Sequence, residues 1–162
     1  MRGISEKNKL EFDGSIEVVG EASNGIECLE RIDDVCPEVL LLDINMPEKN
    51  GIEVLKDMKS KESPVKVLIL TVHNELEYLT EAVDIGVDGY ILKDSESSEL
   101  KKAIQAVLDG ENYIQPSLIP ALNNQLVNRD IEKDKINLLT NRELEVLIQV
   151  ANGMFNKEIA TN

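Results

Sequence analysis

The stretch Val39–Pro47, VLLLDINMP, constrains the fold more than any other part of the chain. Four consecutive apolar residues, Val39 to Leu42, leave no polar side, the pattern of a strand covered on both faces in a parallel sheet. Asp43 then ends the run with a charge. Pro47 cannot continue a ladder, and Gly51 allows a sharp turn into the next helix. In open α/β sheets ligands gather outside the carboxyl ends of the strands. A carboxylate at that place is a candidate nucleophile or metal ligand; a helix-capping Asp is the plain alternative.

The flanking sequence alternates strand and helix patterns. Ser15–Ala22 reads as a short strand, broken at Asn24-Gly25. Ile26, Leu29, Ile32 and Val35 mark a helix over Gly25–Val35, with Cys28 beside its apolar face and in the core. The central strand runs from about Glu38 to Ile44, and a helix follows over Gly51–Ser60. A second apolar run, Val65–Val72, precedes a helix over Leu76–Ile85. Gly86–Gly89 turns into a short strand, Tyr90–Leu92, and Ser97–Leu108 is a helix with Leu100, Ile104, Val107 and Leu108 on one side, closed by Gly110. This alternation predicts an α/β, doubly wound parallel sheet with right-handed crossovers.

That topology brings Asp43, Thr71 and Lys93 to one sheet edge, because each follows its own strand. The trio has a chemical logic. Asp43 can attack a phosphoryl group and become an acyl phosphate. Phosphoryl transfer depends mostly on positioning and charge neutralisation; Lys93 can ion-pair with one phosphoryl oxygen and the Thr71 hydroxyl can hydrogen-bond another. A divalent cation would neutralise more charge, and hard Mg2+ prefers carboxylates and carbonyl oxygens such as the backbone of Asn45.

Composition narrows the function classes. Aromatic residues make up 3% of the 162 residues and Trp is absent, which argues against a stacking surface for single-stranded nucleic acid. The net charge of −14 disfavours nonspecific attraction to DNA or anionic lipid. Residues 1–128 hold 12 basic and 25 acidic side chains, whereas residues 129–162 hold 5 and 6, so the tail reads as a separate module. Cys28 and Cys36 form no C-x-x-C pair, and with no signal peptide and no membrane-length apolar run the expectation is a cytoplasmic protein with reduced thiols.

LLDINMP-x3-G, LILTVH and DGYILKD resemble the motifs of the bacterial response-regulator receiver domain, a flavodoxin-like fold of strand order 2-1-3-4-5. GEASNG at 20–25, together with the tail, resembles the NarL/LuxR type. The resemblance implies Asp43 as phosphoacceptor, charged by a sensor histidine kinase, with Thr71 and Tyr90 as a switch pair and Lys93 as the family's lysine. Asn45 and His73 would border the site, where such positions tune the lifetime of the phosphorylated state. Mg2+ would be held by Asp43, the Asn45 carbonyl and an acidic pair.

That pair sits in the family at the end of a first strand, which the resemblance puts upstream of Met1. Residues 2–12 look like the first helix instead, and Glu11 and Asp13 follow no apolar run. The first, central strand is therefore expected to be missing, and the chain to be truncated. Three parts are expected: a receiver domain over 1–112, a linker with a helix over 113–137 whose Asn128–Asn137 stretch is polar, and 138–162. The last begins with a capping box, Thr140 to Glu143. LTNRELEVLIQVANGMFNKEIA resembles the first half of a LuxR-type helix-turn-helix, which implies DNA as a partner of the complete protein, Lys157 as a phosphate contact, and impaired competence of this chain. Ser97–Leu108 offers a surface for a phosphorylation-dependent homodimer. Two other classes remain: a pseudo-receiver acting through protein contacts without phosphate, and an Asp-nucleophile phosphatase. The latter needs a second Asp two residues after the first, where Asn45 stands.

Overall fold

The computed structural model describes residues 14–137, apart from the side chains of residues 73, 74, 136 and 137. The chain divides between Leu122 and Asn123 into two compact units. The expected helix over residues 2–12 and the helix-turn-helix segment, with Lys157, lie outside the described residues.

The first unit is built on four parallel strands, β1 (Val39–Asp43), β2 (Lys66–Thr71), β3 (Gly89–Leu92) and β4 (Tyr113–Ile114), in the spatial order β1-β2-β3-β4. The register pairs Asp43 with Leu70 and Thr71 with Leu92. Helix α1 (Gly25–Val35) precedes β1, and helices α2 (Gly51–Ser60), α3 (Leu79–Ile85) and α4 (Ser97–Leu108) connect the strands. Period-two alternation sorts the strand residues into two cores. Leu42, Val67, Ile69, Tyr90 and Leu92 pack with residues of α1, α2 and α3. Leu68, Leu70 and Ile91 pack with Leu100, Ala103 and Ile104 of α4. Helices on both faces explain why β1 and β2 lack polar alternation, and the expected doubly wound α/β sheet is the observed one.

Two helices start at asparagine caps. The Asn24 side chain accepts from the Glu27 amide, and Asn50 and Glu53 form a reciprocal capping box. In α1 the expected face is corrected: Cys28 and Ile32 are buried but Ile26 is 46% exposed. Steps of three residues lag a full helical turn by about 60° each, so four residues so spaced cannot share one face. Leu108 of α4 likewise turns outward, at 40% exposure.

Three further expectations are corrected. Ser15–Ala22 forms no strand; Ile16 and Val18 pack on the α4-side core, but a strand requires a neighbour as well as an apolar pattern. Where a strand between this segment and β1 was expected to be missing, none lies among the described residues. A cavity of about 540 Å³ is found there, lined by residues 15–22, by β1, by Cys28, Ile32 and Val35, and by Ile104 and Leu108. The helix expected over Leu76–Ile85 begins as a 3-10 turn, His73–Tyr78, kinked at Glu75, before α3. The stretch Asn128–Asn137, expected as the polar, non-helical part of the linker, is helical and continues α5 (Ile119–Asn137). Pro120 falls in its first turn, where a missing N–H costs nothing, and nothing after it breaks the helix. Ahead of α5, a 3-10 turn at Pro116–Leu118 buries Leu118 in the core, with Ile114 and Leu122 against it. No helix among the described residues is long and apolar enough to cross a membrane.

The turn after β1 is tight. The Gly51 amide donates to the Ile44 carbonyl at 2.9 Å, and a Cβ on Gly51 would lie 2.3 Å from the Asp43 carbonyl oxygen. Gly51→Ala is therefore expected to destabilise the fold by about 1–3 kcal/mol, because backbone rather than a pliable side chain would have to give. Gly20→Ala meets the Val35 methyls and the tip of the Arg31 side chain, all at ordinary contact distance, and should stay within about 0.5 kcal/mol of the parent. Urea denaturation midpoints of the two variants check this.

Candidate phosphoacceptor site

Parallel strands in register deliver three of the expected residues to one end of the sheet. Asp43 is the last residue of β1 and 5% exposed; Thr71 is the last residue of β2 and fully buried. Lys93 follows β3 directly. Its ammonium donates to Asp43 Oδ2 at 2.8 Å, forming an ion pair that leaves the lysine side chain one-third exposed. A buried carboxylate needs such a partner, since removing an ionised group from water without one costs several kcal/mol. The Lys93 amide also donates to the Thr71 carbonyl at 2.6 Å, fixing the base of the lysine to the neighbouring strand.

The Thr71 side chain does not meet the Asp43–Lys93 pair in a described hydrogen bond; its hydroxyl donates to the Val72 carbonyl at 3.3 Å. Alternation puts Thr71 on the face of β2 shared by Val67 and Ile69, and these pack in the same core as Tyr90. The Tyr90 ring is completely buried, and among the described residues its hydroxyl has no partner at hydrogen-bond distance and angle, although Thr71 lies close enough to influence it. Burial pushes the Tyr90 phenol up to about 12; Thr71 opposes this, and Glu75 and Tyr78 add to it.

The rim holds Asn45, which is exposed and donates its side-chain amide to Glu75. Glu75 escaped the sequence reading because only the kinked 3-10 turn brings it across from β2 to the loop after β1. His73 opens that turn, and its side chain lies outside the described residues. Among the described residues the donor set for Mg2+ is incomplete: no group of three His, Cys, Asp or Glu could hold a metal ion, and one Asp43 oxygen is already bound by Lys93. Asp43 and the Asn45 carbonyl alone do not make the expected metal site.

The tyrosines set an alkaline limit on stability. Tyr113, beside Glu99 to which it donates, is also raised to about 12, chiefly by burial and then by Glu99. A phenol whose folded value exceeds the ordinary 10 stabilises the fold fully below pH 10, and that contribution is lost as the pH climbs towards 12. Denaturant midpoints should fall across this window. Tyr90→Phe should remove part of the fall, and at neutral pH it should be neutral or stabilising by up to about 1 kcal/mol, because it deletes an unpaired buried hydroxyl.

Comparison with known proteins identifies the family. Residues 5–105 match the response regulator receiver domain. The nitrate/nitrite response regulator protein NarL of Escherichia coli (strain K12) is 37% identical over 155 residues, covering 95% of this chain and 72% of NarL. The transcriptional regulatory protein YhcZ of Bacillus subtilis (strain 168) is 39% identical over 146 residues, 90% of this chain and 68% of YhcZ. Among solved structures, the signal receiver domain of a NarL response regulator from Mycobacterium tuberculosis superposes with a TM-score of 0.62 at 36% identity, over 66% of this chain and 86% of that one. A structure of two RcsB dimers bound to two parallel DNAs gives 0.70 at 26% identity, over 97% of this chain and 74% of that one. The chain belongs to the response-regulator family of two-component systems, with a receiver domain and relatives of the NarL/LuxR type.

Proposed function

We propose that Asp43 is the phosphoacceptor of this response regulator and that its phosphorylation by a sensor histidine kinase controls transcription. The observation that carries the reading is the Lys93–Asp43 ion pair at the end of β1, with Thr71 ending the adjacent strand. In the transfer an Asp43 carboxylate oxygen attacks phosphorus. A P–O bond to the carboxylate forms, the P–N bond of the donor phosphohistidine breaks, and the imidazole leaves and takes up a proton. Lys93 then exchanges the carboxylate for a phosphoryl oxygen, keeping an ion pair throughout. Thr71 turns its hydroxyl from the Val72 carbonyl to another phosphoryl oxygen. The Tyr90 hydroxyl, which has no hydrogen bond to lose, follows into the space this opens. Asn45 and His73 border the pocket and tune how long the acyl phosphate lasts.

Receiver domains of this family typically bind Mg2+ at the phosphorylation site. Among the described residues no group of three His, Cys, Asp or Glu gathers to hold such an ion, and the positive charge that this part of the chain itself brings to Asp43 is Lys93. In the complete protein, DNA binding belongs to the helix-turn-helix that begins within residues 138–162, with Lys157 as a phosphate contact. Support comes from the similarity to a regulator solved as dimers on DNA, which also favours a homodimer. The cytoplasm is the compartment where kinase and DNA are both reached.

Incubation of the chain with acetyl phosphate tests the reading. Acid-stable, hydroxylamine-labile phosphate should appear on the parent and be absent from Asp43→Asn. Lys93→Ala should slow its formation about ten- to a hundredfold, in keeping with losing a charge-assisted contact to the transferring group. Absence of label on the parent, with partner binding indifferent to Asp43→Asn, would favour the phosphate-independent pseudo-receiver.

A further inference from the structure

The segment joining β4 to α5 contains a hydrogen-bonding arrangement that backbone geometry alone does not supply. In a parallel ladder the strand residue that donates to one neighbour's carbonyl normally accepts, through its own carbonyl, from the amide two positions further on. Gln115 begins this pattern: its amide donates to the Tyr90 carbonyl at 3.0 Å. The Leu92 amide should then find the Gln115 main-chain carbonyl. That carbonyl is already engaged, because Pro116 turns the chain into the 3-10 turn and the Leu118 amide donates to it at 2.8 Å. The Gln115 side chain takes the vacant place. Its Oε1 accepts from the Leu92 amide at 2.7 Å and from the Ser95 hydroxyl at 3.0 Å. A backbone amide only donates, so the atom it meets must be the amide oxygen.

Leu92 and Ser95 bracket Lys93. The Lys93 amide is fixed to Thr71 and the Ser95 amide to the Leu92 carbonyl, at 3.1 Å for the latter. One side-chain oxygen thus ties both ends of the loop whose lysine reaches Asp43. We infer that Gln115 is the positioning residue for Lys93, holding the loop after β3 so that the ammonium is aimed at Asp43 and at a phosphoryl group carried there. The inference rests on the phosphoacceptor reading for its consequence, but not for its geometry. Without the acceptor the loop's main chain loses a rung at its first residue, and the base of the flexible lysine side chain is then held by the Thr71 contact alone.

The test uses the full chain with Gln115→Met, which keeps length but offers no comparable acceptor, and Gln115→Glu, which keeps an oxygen there, each in the parent and in Lys93→Ala. Two readouts are taken: the initial rate of phosphate incorporation from acetyl phosphate, and NMR relaxation at the Lys93 Cε methylene, which needs no phosphoryl donor. Gln115→Met is expected to slow incorporation about three- to tenfold, the size of one lost hydrogen bond, and to raise the mobility of Lys93. Gln115→Glu is expected to restore both. In Lys93→Ala, Gln115→Met should add no further slowing, because the two residues act in series. Equal slowing in both backgrounds, unchanged Lys93 mobility in Gln115→Met, or failure of Gln115→Glu to restore it would overturn the inference. A parent chain that takes up no phosphate would instead count against the phosphoacceptor reading, while the mobility of Lys93 would still decide the role of Gln115.

Discussion

A carboxylate at the end of an apolar strand must be held by something, and here Lys93 holds it. Asp43 ends a run of four apolar residues and is almost wholly buried. Its charge is tolerable only because the next strand but one ends in an ammonium within 2.8 Å. Sheet order and register bring the two together: β2 lies between β1 and β3, and the Lys93 amide is bonded to β2. On the proposed reading, a pair held this way receives a phosphoryl group with little rearrangement, since the lysine already stands beside the carboxylate.

The two faces of the sheet divide the work. Asp43 and Lys93 meet at the sheet's carboxyl edge, whereas Thr71 and Tyr90 share the core that also receives Leu118 and, at its margin, Ile114 and Leu122. Thr71 therefore shares its core with a large buried ring whose hydroxyl has no hydrogen bond among the described residues. The same core reaches the segment leading into α5. The physical link from the proposed phosphoacceptor to the start of that helix is short, and it runs through packed side chains and the hydrogen bonds of Gln115.

Much of this was legible in the sequence, for reasons that differ by element. Val39–Leu42 and the run at β2 announced doubly covered strands because a buried parallel strand tolerates no polar residue. Asp43, Thr71 and Lys93 could be grouped because each follows such a run. Ser15–Ala22 was misread because an alternating pattern makes a segment compatible with a sheet without providing a neighbour for it. Asn128–Asn137 was read as a linker because a helix that is polar all round has no apolar stripe to betray it, although its residues form helix readily. Glu75 and Gln115 were invisible. One is placed by a kink in a 3-10 turn, and the other acts only because Pro116 diverts a carbonyl elsewhere.

The most direct measurement is a structure of this chain with beryllofluoride, an acyl-phosphate mimic, bound. The account predicts the beryllium on an Asp43 carboxylate oxygen, the Lys93 ammonium and the Thr71 hydroxyl each within hydrogen-bonding distance of a fluorine, and Tyr90 displaced from its present position. Beryllofluoride bound elsewhere, or Thr71 still directed at the Val72 carbonyl with Lys93 away from the fluorines, would contradict it.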